Sequence, residues 1–273
     1  MRPRSRSSYF LGAFFALFVL FLYGPVITIG VLSFQGPQGG LTFPMNGVST
    51  HWFTNLFEQQ AVGDIWGAFR RSLVLGLMVM VTTVIVSVMS GLAFRKRFPG
   101  ATPLFFLAVA SLVIPSILVS LGVGLLFDQL GLPVHWSTTG FGAQLTWTLP
   151  FGLLIMFAVF NRFDSAYEEA ARDLGASSWQ TVRHVVLPII APALIGVALF
   201  GFTLSYDEFA RTLLTAGVDN TLPLEIYGMT TNVTTPVLYA LGTLTTVFSF
   251  LVILVLLAAV ALLRSRARRS GGE

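Results

Sequence analysis

The stretch Glu168–Pro188, EEAARDLGASSWQTVRHVVLP, decides how this chain is read. It gathers several of the charges of a 273-residue chain that is 55% hydrophobic and only 10% charged. Tyr167, Ala170, Ala171 and Leu174 recur at helical spacing and predict a narrow apolar stripe. Glu168 and Arg172 stand four residues apart, where a helix brings opposite charges together. Gly175 falls where the left-handed residue after a helix sits. Ser177 and Gln180 have capping-box spacing and predict a second short helix, with Trp179, Val182, and Val185 or Val186 on one side. Pro188 suits the first turn of the element that follows, where a missing N–H costs little. The segment reads as helix, glycine corner, helix. Its residues leave two uses open. One, slightly favoured by physics alone, is an interfacial linker whose stripe lies on a membrane. The other is a rigid knob that a partner can grip.

The flanking sequence is far more apolar. A soluble domain carries roughly 25% charged residues, and the mean hydropathy here is +0.80, so the membrane class comes first. Six spans are predicted, over residues 10–33, 70–94, 102–127, 141–161, 188–206 and 236–263. The fifth is the shortest. Arg2, Arg4 and Arg6 precede the first, as in a signal peptide. The apolar run is longer than a signal core of about 7–15 residues, and no small-x-small site follows, so it is read as a spanning helix. With the N-terminus inside, thirteen of the sixteen basic residues fall on the cytoplasmic side. Only Arg70, Arg71 and Arg211 fall outside, and the first two are expected to snorkel. Both termini are then cytoplasmic, and so is the loop 162–187. The first outer loop, 34–69, is rich in Gly and Pro and then offers STHWFTNLF, an interfacial piece presenting Trp52, Phe53 and Phe57. No tandem repeat stands out, and residues 1–273 are read as one transmembrane domain.

Several chemistries have no footing in this sequence. There is no cysteine for a disulfide, thiol nucleophile or Cys-based metal site. His51, His135 and His184 lie far apart, and no GxxxxGK[ST] phosphate loop or nucleophile–base set is present. The net charge of +4 is spread beside apolar spans, not gathered into a block that would read as a nucleic-acid surface. The breakers Gly24-Pro25, Pro115, Gly122, Gly124, Pro150 and Pro192 fit helix kinks and gating equally well.

The quoted stretch resembles the cytoplasmic EAA loop of permease subunits in binding-protein-dependent ABC importers. The pattern runs Glu169-Ala170-Ala171, three residues, Gly175, nine residues, Val185, one residue, Leu187-Pro188, with Val where the family often has Ile. The resemblance implies an all-α, six-helix MetI-like ABC importer permease fold in the inner membrane of a bacterium. It also implies an ATPase-coupling role for Glu168, Glu169, Ala170, Ala171, Leu174, Gly175, Trp179, Leu187 and Pro188. The implied partners are a second permease chain, two cytoplasmic ATPases that bind ATP and magnesium, and an extracytoplasmic solute-binding protein. This chain would itself bind no cofactor or metal and would be non-catalytic. The stretches FTLSYDEFARTLLTAG and TLPLEIYGM resemble the subgroup that imports spermidine and putrescine. A His expected ahead of Pro150 is replaced by Gln144.

A polyamine path needs carboxylates and aromatic faces, the latter worth about 0.5–2 kcal/mol per cation–π contact. Tyr206, Asp207, Glu208, Glu225, Tyr227 and Tyr239 are the candidates. A structural role is weighed ahead of ligand contact for each carboxylate, with Asp207 and Glu208 capping a re-entrant turn or pairing with Arg211. The alternative class is an ion-gradient-driven secondary transporter of a small cationic solute. It calls for acidic or His residues in mid-span, and the spans hold almost none. A membrane-embedded enzyme would need a paired base at lipid depth, which the spans also lack.

Overall fold

The computed structural model describes residues 6–56, 58, 63–96, 98–232 and 235–270. Eleven α-helices can be numbered among them. They are α1 Arg6–Leu32, α2 His51–Asn55, α3 Ile65–Phe94, α4 Ala101–Ala110, α5 Ser116–Gln129, α6 Phe141–Phe160, α7 Ala166–Asp173, α8 Ser178–Thr181, α9 Leu187–Tyr206, α10 Leu222–Asn232 and α11 Val237–Ser270. Single π-helical turns, Trp136–Gly140 and Val182–Val186, lead into α6 and α9. Among the described residues the β content is one isolated bridge, Gln35 to Val48.

The chain divides into two compact units, Met1–Gly63 with Ile226–Phe250, and Asp64–Glu225 with Leu251–Glu273. In the first, the loop after α1 is organised by the fully buried Gln35. Its Nε2 donates to the Gly40 carbonyl at 3.2 Å, and its Oε1 accepts from the Asn46 amide at 2.8 Å. The Tyr239 hydroxyl donates to the Leu41 carbonyl at 2.7 Å. Phe53 of α2 packs on Phe34 with ring centroids 5.1 Å apart. Phe57 lies outside the described residues.

The second unit is built on α3, α6 and α9. Lipid supplies no hydrophobic drive between helices, so small residues and interhelical hydrogen bonds do that work. A Cβ at Gly152 of α6 would overlap Ser87 Oγ of α3, and one at Gly201 of α9 would lie 3.2 Å from the Met80 Cα. Thr83 Oγ1 donates to Thr148 Oγ1 at 3.0 Å across the buried α3–α6 seam, and Ser205 of α9 donates to Gln144 Oε1 of α6. Towards α7, Met156, Phe160, Val186, Ile190 and Val197 form the apolar core.

Three sequence expectations change here. First, five helices are long and apolar enough to cross a membrane: Tyr9–Leu32, Ile65–Phe94, Trp136–Phe160, Ser178–Tyr206 and Val237–Ala258. In place of an unbroken span over 102–127 stand α4 and α5, parted before Pro115, whose ring cannot donate to the turn behind it. Second, the predicted second short helix is the start of the fourth long helix, Ser178–Tyr206, because α8 continues through the π turn into α9. The Leu187 amide bonds Val182 O, five residues back. This wider turn accommodates Pro188, which has no N–H to give. Third, Arg71 is held by protein groups. Its Nε donates to Asn220 O at 2.7 Å, and its Nη1 lies 3.3 Å from Asp64 and 3.9 Å from Asp219.

Candidate functional site

At one end of the second unit, α7 and α8 meet at a corner. Gly175 has φ of 86°, a conformation in which a side chain would be strained. The corner is closed by the amides of Gly175, donating to Arg172 O at 2.9 Å, and Ala176, donating to Ala171 O at 3.0 Å. The capping box then opens the long helix. Ser177 Oγ accepts from the Gln180 amide at 3.3 Å, and Gln180 Oε1 accepts from the Ser177 amide at 2.8 Å.

The polarity of α7 is inverted relative to an ordinary amphipathic helix. Its buried residue is Glu168, while Tyr167, Glu169 and Ala170 are exposed and Ala171 is half-buried. Leu174 is 90% exposed and Trp179 66% exposed. The predicted apolar stripe thus points away from the unit, and Trp179 does not share a buried face with Val186. Leu187 packs against the core cluster, and Pro188 is exposed.

The buried carboxylate is pinned twice. Arg172 Nη2 reaches Glu168 Oε2 at 3.4 Å, the expected i,i+4 pair. The closer partner, absent from the sequence reading, is Arg95 at the end of α3. It donates from Nη1 to Oε1 at 2.6 Å and from Nη2 to Oε2 at 3.2 Å. The Arg95 guanidinium also lies 5.1 Å from the Phe160 ring and 5.2 Å from the Phe163 ring. A cleft of about 500 Å³ opens beside this pair, bounded by Leu92, Lys96, Ser178, Thr181 and Val182 among others.

The substrate-path candidates fall in both units. Tyr206, Asp207, Glu208 and Glu225 belong to the second, Tyr227 and Tyr239 to the first. Tyr206 is buried and stacked on Phe202 with centroids 5.7 Å apart. Asp207 caps the end of α9 and is exposed. Glu208 is buried and caps the following turn, accepting from the Arg211 amide at 2.8 Å. Glu225 is also buried. It accepts from the Asp64 amide at 2.8 Å and from Asn220 Nδ2 at 2.9 Å. Tyr227 is half exposed.

Arg211 is the largest fully buried side chain among the described residues. Its Nε donates to Thr146 Oγ1 at 3.1 Å and its Nη1 to Ser116 Oγ at 2.6 Å, with the Trp147 ring centroid 4.8 Å away. Burial lowers the pKa of its guanidinium, and Glu208 opposes that shift. On α5, Ser116, Ser120 and Gly124 recur every four residues and face this segment. Ser120 Oγ accepts from the Leu214 amide at 2.9 Å, and a Cβ at Gly124 would lie 2.8 Å from Leu214 O. At the N-terminal end of α3, Ser72 Oγ accepts from the Leu222 amide at 2.8 Å.

The chain as a whole has known relatives. Residues 83–269 match the family described as binding-protein-dependent transport system inner membrane component. The chain belongs to this family. A spermidine/putrescine transport system permease protein, PotC, of Haemophilus influenzae is 29% identical over 246 residues, which are 89% of this chain and 93% of the relative. PotC of Escherichia coli K12 is 26% identical, covering 96% of this chain and 97% of its own length. A putrescine transport system permease protein, PotI, from the same strain is 28% identical, with 82% and 81% covered. Among solved structures, a bacterial alginate ABC transporter in complex with an alginate pentasaccharide-bound periplasmic protein contains a chain of the same fold. Its TM-score is 0.67 at 16% identity, with 96% of this chain and 93% of that one covered. An inward-facing MetNI methionine ABC transporter gives 0.56 at 18% identity, with 73% and 94% covered. The family is a permease family of the bacterial inner membrane, and its MetI-like fold accounts for the all-helical architecture and the five long apolar helices.

Proposed function

We propose that this chain is the permease subunit of an ABC importer for a polyamine, spermidine or putrescine, or a related small solute. The observation that carries this reading is the likeness to PotC over 89% of this chain and 93% of that relative. The chain acts as one transmembrane domain, with α4 and α5 together serving as a single crossing and both termini in the cytoplasm. It pairs with a second, different permease chain and two ATPases, and it receives its solute from an extracytoplasmic binding protein. It is not itself an enzyme and binds no cofactor; ATP and magnesium belong to the ATPases.

The α7–α8 corner is the handle. Leu174 and Trp179 carry exposed apolar surface on a segment whose charges keep it in water, an arrangement suited to docking a protein groove. Glu168, Glu169, Ala170, Ala171, Gly175, Leu187 and Pro188 give it shape and attachment. Along the path, Glu208 and Glu225 are engaged by backbone amides. The exposed Asp207 and Tyr227 are therefore better placed to meet a passing cation than the buried Tyr206. The complete transporter in proteoliposomes tests this reading. Uptake of labelled putrescine or spermidine should require ATP and stop with vanadate. Uptake abolished by a protonophore and indifferent to vanadate would overturn the transporter class, and failure of both polyamines to compete would overturn the solute.

A further inference from the structure

We propose that Arg95 is the positioning residue through which movement of α7 reaches α3, and that α3 carries that movement to segment 219–225 at its other end; this rests on the permease reading above. Glu168 is the buried residue of α7, and its bond to Arg95 is the polar contact, among the described residues, that ties α7 to a long apolar helix. The tie is a fork. Two parallel N–H···O bonds, at 2.6 and 3.2 Å, fix direction as well as distance. The Phe160 and Phe163 rings, 6.2 Å apart, both lie against the guanidinium, at 5.1 and 5.2 Å. A push on Glu168 is therefore delivered to the end of α3 and not lost in side-chain swivel.

The helix that receives the push is rigid. α3 has 30 residues and no proline, so it acts as one rod about 45 Å long. Its far end is bonded to chain some 150 residues away. Ser72 Oγ accepts the Leu222 amide at 2.8 Å, Arg71 Nε donates to Asn220 O at 2.7 Å, and the Asp64 amide donates to Glu225 Oε1 at 2.8 Å. One rod thus has a two-point grip at one end and three hydrogen bonds to a single short segment at the other. Packed interiors resist displacement. The cleft of about 500 Å³ beside Arg95 and Glu168 is open space into which α7 can move without unpacking the Met156–Val186 core.

The test uses the complete reconstituted transporter. The chain has no cysteine of its own, so Val218→Cys, at a position 97% exposed beside the bonded segment, places one reporter at the far end of the rod. In the parent background, trapping with ATP and vanadate should change labelling of that cysteine by a membrane-impermeant maleimide. Arg95→Gln and Glu168→Gln should still co-purify with the ATPase, lose the labelling change, and raise ATP consumed per solute imported by about fivefold or more. A ratio within about twofold of parent in both variants, or an undiminished labelling change, overturns the proposal. If the glutamine variants do not assemble, Arg95→Lys decides. It keeps the charge but not the fork, so a raised ratio supports the fork and an unchanged ratio overturns it. A parent chain that neither co-purifies with an ATPase nor supports ATP-dependent uptake would defeat the permease reading instead. A parent that transports while its variants stay coupled would defeat this inference alone.

Discussion

The hydroxyl of Ser72 accepts the backbone N–H of Leu222 at 2.8 Å, joining residues 150 positions apart at a buried site. Leu222 opens α10, where a helix leaves the amide without a partner of its own. Ser72→Ala should therefore lower stability by about 1–3 kcal/mol, the usual loss when a buried donor is left unmade. Ser72→Thr should recover most of it. Thermal unfolding of the detergent-solubilised subunit reads both, and equal melting temperatures for parent and alanine variant would contradict this account.

Gly175 holds the corner at φ of 86°. Alanine there should cost about 1–2 kcal/mol of local conformational energy. Proline, whose φ is fixed near −65°, should break the corner outright. Gly175→Pro, and equally Glu169→Lys on the exposed face, should leave membrane insertion intact while uncoupling ATP hydrolysis from uptake. Insertion is read by membrane fractionation and coupling by paired hydrolysis and transport assays.

Leu174 and Trp179 are exposed, so removing their apolar surface should not weaken the fold. Leu174→Asp and Trp179→Asp should keep unfolding free energy within about 0.5 kcal/mol of parent yet lose co-purification with the ATPase. Loss of stability without loss of association would show that these side chains serve packing.

Arg211→Met should lower stability by about 1.5–3 kcal/mol through the lost bonds to Thr146 and Ser116, both hydrogen bonds to a charged group. Arg211→Lys should not rescue it. A compact ammonium cannot span both hydroxyls and lie over Trp147 at once. Melting curves of the two variants, superimposed on that of parent, decide the matter.

What the sequence reveals here is local in range. The Gly175 corner, the Ser177–Gln180 box and the Glu168–Arg172 pair all involve residues within five positions of one another, and all three form. The bond that matters most to α7 joins residues 73 apart. In the sequence Arg95 is one of three consecutive basic residues, Arg95-Lys96-Arg97, with nothing to name its partner. Periodicity made Tyr167 and Leu174 an apolar stripe but not which way it faced, and burial of Glu168 turned it outward. Pro115 was legible as a breaker, yet only the packed structure shows it parting α4 from α5. The continuity of α8 into α9 escaped because a π turn leaves no mark on a 3.6-residue pattern. Of the path candidates, Glu208 was legible as a turn cap and its bond to the Arg211 amide forms. The place of Glu225, on the Asp64 amide 161 residues away, was not.

The outward-facing stripe of α7 has one more consequence. An orphan copy of this subunit would show Leu174 and Trp179 to the surrounding water until something covered them. The surface that gives an assembled transporter its handle is then also a flag of incomplete assembly. Chaperones and proteases that survey exposed apolar surface would have a ready means of telling a lone subunit from one in service.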